Sequence, residues 1–90
     1  NKMETFIVYG ISDCPSCLYA CADLMARDLQ YVFVNTDFSK DYRASLCKKF
    51  TWQTFPIVIR SIENSEDFIG GYDELKEWLA KTEDRALFTT

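Results

Sequence analysis

Cys14 and Cys17 are separated only by Pro15 and Ser16, in the run Cys14-Pro15-Ser16-Cys17. Two thiols at that spacing can cycle between dithiol and disulfide, or they can supply half of a metal site. A closed zinc site usually draws on a second paired ligand set. The chain has no histidine, and its other cysteines, Cys21 and Cys47, form no second pair of this kind. Thiol–disulfide chemistry is therefore the reading the residues favour, and no metal is expected.

The elements around the pair fit that chemistry. Thr5 to Tyr9 is apolar, β-branched and aromatic, so a strand is expected from Glu4 to Tyr9. Gly10 to Asp13 follows as a loop. Leu18, Cys21, Ala22, Met25 and Leu29 recur at spacings of three and four, which predicts a helix from about Pro15 to Asp28 with those residues inward. Proline is favoured at the first helical position, because the N–H it lacks would be unpaired there anyway. Cys14 is then the N-cap and Cys17 lies one turn in. A helix N-terminus offers unpaired N–H groups and positive dipole charge, which stabilise a thiolate. Cys14 is accordingly the expected nucleophile and Cys17 the inner, resolving thiol.

Downstream, Gln30 to Asn35 reads as a second strand, mostly apolar as a buried strand should be. Ser39 is placed to cap a helix from Lys40 to Phe50 that turns Tyr42, Leu46, Cys47 and Phe50 to one face. Pro56 to Ser61 and Asp67 to Ile69 read as a hairpin around the turn-rich Glu63 to Glu66. Gly70-Gly71 ends it, and Asp73 is the expected cap of a last helix from about Glu74 to Lys81, with Leu75, Trp78 and Leu79 inward. The stretch 82–90 is weakly patterned; Leu87 and Phe88 are candidates to dock on the core. Cys21 and Cys47 fall on apolar helix faces and read as core residues.

The order is β-α-β-α-β-β-α, an α/β fold. The first β-α-β unit demands parallel strands with a right-handed crossover. A third strand antiparallel to the first would begin beside the first strand's end. Cys14, Pro56 and Gly70 to Asp73 would then meet on one rim, with two helix N-termini aimed at it.

Composition sets outer bounds. Ninety residues, 48% of them hydrophobic, are expected to form one domain spanning 1–90, with a patterned core at about 4–81. Net charge is −4, and the basic residues gather no further than Lys48-Lys49. Nucleic acid and anionic membrane are thus poor partners. No run reaches membrane-spanning length, and no stretch reads as a signal peptide. Unevenly spaced cysteines do not suggest a secreted disulfide scaffold. A cytoplasmic monomer is expected.

Three segments together resemble the glutaredoxins: Cys14-Pro15-Ser16-Cys17, then Thr54-Phe55-Pro56, then Gly70-Gly71-Tyr72-Asp73-Glu74. Each is weak alone, but their order and spacing are specific, and the resemblance covers about residues 4 to 81. It implies the minimal thioredoxin fold, a four-stranded mixed sheet flanked by three helices. It also implies a glutathione-dependent thiol–disulfide oxidoreductase, with glutathione as reducing co-substrate. Its partners would be disulfide-containing or glutathionylated client proteins, ribonucleotide reductase among the family's usual ones. Cys14 and Cys17 carry over as the catalytic pair. Thr54, Phe55 and a cis Pro56 carry over as the seat of the cysteinyl part of glutathione. Gly71, Tyr72 and Asp73 carry over as the seat of its γ-glutamyl carboxylate. Among Lys40, Arg43, Lys48 and Lys49, Arg43 is the expected partner of the glycyl carboxylate.

The chain departs from the family pattern at several places. Ile11 and Gln53 stand where basic residues are common, Asp13 directly precedes the nucleophile, Ser16 replaces a common tyrosine and Phe55 a valine. Two other readings share these motifs: a redoxin recharged by thioredoxin reductase, and an iron–sulfur cluster carrier using Cys14 and glutathione. A non-catalytic subunit that docks through the same rim is a third.

Overall fold

The computed structural model describes residues 3–89, and the side chains of residues 3–82. The elements are β1 (Glu4–Gly10), α1 (Pro15–Ala26), β2 (Tyr31–Asn35), α2 (Lys40–Phe50), β3 (Ile57–Ile62), β4 (Ser65–Gly70) and α3 (Tyr72–Thr89). This is the expected β-α-β-α-β-β-α order. The strands form one mixed sheet in the order β2-β1-β3-β4. β1 runs parallel to β2 and antiparallel to β3, and β4 is antiparallel to β3. Ile62 pairs with Ser65 across a two-residue turn in which Glu63 takes a left-handed φ of 53°.

Strand alternation divides the core in two. Phe6, Val8 and Val58 face Ala20 and Leu24 of α1 and Leu75 and Leu79 of α3. Ile57 and Ile59 face the other way and pack with Leu46 of α2, joined by Ile7, Tyr9, Tyr42 and Phe50. The register agrees, since Val8 sits opposite Val58 and Ile7 opposite Ile59. Residues directly opposite in an antiparallel pair lie on the same face. Ser39 caps α2 as expected, its hydroxyl accepting the Tyr42 N–H at 3.0 Å.

Four expectations need correction. α1 buries Cys17, Ala20 and Leu24 rather than the stripe through Leu18 and Met25, which are 68% and 63% exposed. Both stripes have helical spacing, and Cys17 and Ala20 are small enough to let the helix lie close against the sheet. β2 is an edge strand, with Val32 and Phe33 exposed, because α2 covers the β1–β3 centre instead. α1 stops at Ala26, two residues short of the expectation, where Asp28 turns left-handed and Leu29 N–H reaches back to the Leu24 carbonyl. α3 starts at Tyr72, so Gly71 rather than Asp73 precedes its first turn, and the helix continues through Thr89 rather than ending near Lys81. The side chains of Leu87 and Phe88, expected as docking candidates, lie outside the described residues.

No helix among the described residues is long and apolar enough to cross a membrane.

Candidate active site

Cys14 is the N-cap of α1, in extended conformation, with Pro15 at the first helical position. Its carbonyl accepts the Cys17 and Leu18 N–H groups at 3.1 and 3.2 Å, and its Sγ also accepts the Cys17 N–H at 3.2 Å. The cap role that usually falls to an oxygen is here performed by sulfur. Cys14 and Cys17 are joined as a disulfide with their Cα atoms 5.3 Å apart. Cys17 is only 1% exposed, whereas Cys14 is partly open to solvent. An incoming nucleophile or disulfide therefore meets Cys14, and Cys17 can act only from beneath. The Ser16 hydroxyl lies 3.5 Å from Cys14 Sγ, and in the bridged state it must be the donor.

The segment leading into Cys14 is tied to the β2 end of the sheet. Thr36, fully buried, donates both its N–H and its hydroxyl to the Gly10 carbonyl, at 2.8 and 2.9 Å. The Asp37 carboxylate then accepts the Ser12 N–H at 3.1 and 3.3 Å. Between these anchors and Cys14 the chain turns through Asp13 at a left-handed φ of 55°. The Ser12 hydrogen bonds hold the Asp37 carboxyl below the usual carboxylate range, and the nearby Arg43 charge adds to the effect. No motif in the sequence links Ser12 to Asp37; only the β1–β2 pairing brings them together.

Opposite, Tyr9 pairs with Ile57, which sets the start of β3 beside the end of β1. The Phe55–Pro56 bond is cis, and Cys14 Sγ lies 3.9 Å from the Phe55 carbonyl oxygen. Thr54, Phe55, Pro56, Gly71, Tyr72 and Asp73 line one cleft of about 370 Å³ together with Ser16, Trp52 and Glu74. Six of the seven residues expected to hold glutathione thus converge. Arg43 does not line this cleft; its guanidinium donates to the Thr36 carbonyl at 2.8 Å.

The start of α3 holds a feature the sequence only half revealed. Glu74, three residues beyond Gly71, folds back so that Oε1 accepts the Gly71 N–H at 3.0 Å. That spacing is the reciprocal half of a capping box. Tyr72 turns towards α1, where its hydroxyl donates to Asp23 at 2.8 Å and its ring lies 5.8 Å from that of Tyr19. The bond to Asp23 raises the Tyr72 phenol above its ordinary range, helped by burial and neighbouring negative charge. Trp52, on the cleft wall, has a buried indole N–H with no acceptor among the described residues. Cys21 and Cys47 are both unbridged, and burial pushes the Cys21 thiol up, away from reactivity.

No family profile and no curated protein matches the sequence. Solved structures match it in shape. The solution structure of glutaredoxin from Brucella melitensis superposes with a TM-score of 0.74 at 23% identity, over 97% of this chain and 90% of that one. The crystal structure of glutaredoxin 1 from Francisella tularensis, complexed with cacodylate, gives 0.72 at 19% identity, over 91% and 99%. The fold is that of the glutaredoxins. Thioredoxin f2 from Chlamydomonas reinhardtii follows at 0.59 and 14%, over 91% and 81%.

On the glutaredoxin fold, the arrangement has a definite chemical capacity. An accessible sulfur at a helix N-terminus adjoins a buried partner sulfur, and a cleft opens beside them. The Cys17 N–H already aimed at Cys14 Sγ would stabilise negative charge on that sulfur once the bridge is reduced.

Proposed function

We propose that this chain is a glutaredoxin acting as a thiol–disulfide oxidoreductase, with glutathione as its reducing co-substrate. The observation that carries the reading is Cys14 at the α1 N-cap, its sulfur taking the Cys17 N–H, beside the cleft of Phe55–Pro56 and Gly71–Asp73. In the reduced protein the Cys14 thiolate attacks one sulfur of a client disulfide. That S–S bond breaks, a mixed disulfide forms, and the departing client thiolate takes up a proton. Cys17, as thiolate, then attacks Cys14 Sγ and expels the second client thiolate, leaving the Cys14–Cys17 bridge. Two electrons have passed from the pair to the client. Two glutathione molecules return them and leave as glutathione disulfide. Glutaredoxin potentials lie at roughly −200 to −230 mV, close to the glutathione poise, so either direction is feasible.

Glutathionylated proteins are the second client class, since their release needs one thiol. Ribonucleotide reductase, monomeric action and a cytoplasmic location complete the proposal. Thr54, Phe55 and Pro56 would seat the cysteinyl part of glutathione, and Gly71, Tyr72 and Asp73 its γ-glutamyl end. One observation favours a second reading, a redoxin recharged by thioredoxin reductase: no lysine or arginine among the described residues lines the cleft, and Glu74 holds the Gly71 N–H.

The test uses Cys17→Ser and Cys14→Ser. Cys17→Ser should lose reduction of protein disulfides and keep release of glutathione from a glutathionylated peptide; Cys14→Ser should lose both. A Cys17→Ser protein inert on that peptide, beside an active wild type, refutes the one-thiol branch. Recharging by NADPH and thioredoxin reductase but not by glutathione would select the second reading.

A further inference from the structure

Cys14 stands between two concavities. One is the cleft beside Phe55–Pro56. The other, also about 370 Å³, is lined by Asp13, Cys14, Pro15, Leu18 and Tyr19. Ser16 belongs to the first and Pro15 to the second, so the cysteine turn forms the divide. Leu18 and Tyr19 are 68% and 56% exposed, and the core takes Cys17, Ala20 and Leu24 from this helix instead. Two large side chains in the first turns of α1, beside the accessible sulfur, thus stay mostly exposed, Tyr19 touching only the Tyr72 ring with one face.

The charge around them is mainly negative. Asp13 lies on the wall of the second concavity, and Asp73 and Glu74 lie on the wall of the first. Asp23 holds the Tyr72 hydroxyl where the Tyr19 and Tyr72 rings meet. Against these four carboxylates stand Lys76, with its ammonium 3.7 Å from Asp73 and 4.9 Å from the Tyr72 ring centre, and Arg27, whose guanidinium donates to the Asp23 carbonyl at 3.2 Å. Arg43 is turned to the Thr36 carbonyl. The whole chain carries −4, so its longer-range field has the same sign as its rim.

Building on the oxidoreductase reading above, we infer that the natural client presents its disulfide on a cationic and apolar segment. Lysine or arginine side chains on that segment face Asp13 and the Asp73–Glu74 helix start, and an aliphatic side chain beside the client cysteine seats against Leu18 and Tyr19. Complementary charge acts chiefly on encounter and on rejection of wrong partners, and buried apolar contact fixes the pose. A segment with acidic neighbours would meet like charge on both sides of Cys14.

The experiment uses the full chain, reduced beforehand, and peptides that share one internal disulfide and differ only in its flanks. One carries lysines and a leucine, one glutamates and the same leucine, and one lysines with serine in place of leucine. Single-turnover rates are followed at low and high ionic strength. The lysine–leucine peptide should react at least about tenfold faster than the glutamate–leucine peptide at low salt, with the ratio collapsing at high salt as screening shortens the field's reach. Leu18→Ser should slow the lysine–leucine peptide towards the rate of the lysine–serine one and leave the rate ratio of the lysine–leucine to the glutamate–leucine peptide unchanged. Equal rates for the lysine and glutamate peptides, or a preference insensitive to salt, overturn the inference and leave the oxidoreductase reading standing. Failure to reduce any of the peptides overturns both.

Discussion

Gly10 closes β1 directly beneath the cysteine pair, and replacing it by alanine tests how tightly the inner thiol is held. A Cβ there would lie 2.5 Å from Phe33 Cε1, 2.9 Å from Phe33 Cζ and 2.9 Å from Cys17 Sγ. The two neighbours can yield to different degrees. Phe33 is 38% exposed on the edge strand, and its ring can swing outward. Cys17 is buried and bridged, with no such freedom. Overpacking of this kind typically costs about 1–3 kcal/mol. With one soft and one hard neighbour we expect about 2 kcal/mol, which lowers Tm by roughly 8–16 °C at about 4–8 °C per kcal/mol for a domain of this size. The assay is thermal and urea unfolding of wild type, Gly10→Ala, Phe33→Ala and the double variant, each oxidised. In the Phe33→Ala background the penalty should shrink without vanishing, because the Cys17 contact remains. A Gly10→Ala protein as stable as wild type would mean that β1 is free to move away from Cys17. The inference of a rigidly seated inner thiol would then be wrong.

Three further outcomes follow from single contacts. Asp37→Asn should speed hydrogen exchange at the Ser12 amide and unsettle the turn before Cys14. In the wild type the contribution of Asp37, whose folded-state pKa is depressed, is present above the usual carboxylate range and is lost only as pH falls through the lowered value, which an NMR titration of the Ser12 amide should register. Asp23→Asn should bring the raised Tyr72 ionisation back towards its ordinary range, read as tyrosinate absorbance after subtracting a Tyr72→Phe control. Leu46→Ala should destabilise the protein by about 2–5 kcal/mol in urea unfolding, since Leu46 is the one α2 residue fully within the core.

The strand–helix alternation was legible because each element carries its own periodicity and punctuation. Ser39 and Pro15 announced helix starts, and the Pro56-to-Ser61 run announced the central strand. What the sequence left ambiguous was which of two overlapping stripes on α1 faces inward. Leu18 and Met25 are more apolar than Cys17 and Ala20, yet close packing of the helix on β1 requires the small ones. The cleft was legible from three segments far apart in the chain, because an antiparallel β3 leaves little choice about where Pro56 lies. Arg43 lies off the cleft lining, and the bond from its guanidinium to the Thr36 carbonyl has no signature in the sequence. The Asp37–Ser12 contact spans 25 positions with no local signature, so only the structure exposes it.

Two sources of electrostatics act on Cys14, and they differ in kind. One is backbone: the Cys17 N–H at the sulfur and the α1 N-terminus behind it. These groups are fixed by the helix and survive any change of surface side chain, so sulfur reactivity should vary little with substitutions around the rim. The other is the ring of carboxylates at Asp13, Asp73 and Glu74, which are side chains near solvent. Their influence reaches about 8 Å at physiological salt, far enough to sort approaching partners but weak beside a direct hydrogen bond. A chain that kept the first source and inverted the second would therefore attack disulfides at a similar intrinsic rate and choose different clients.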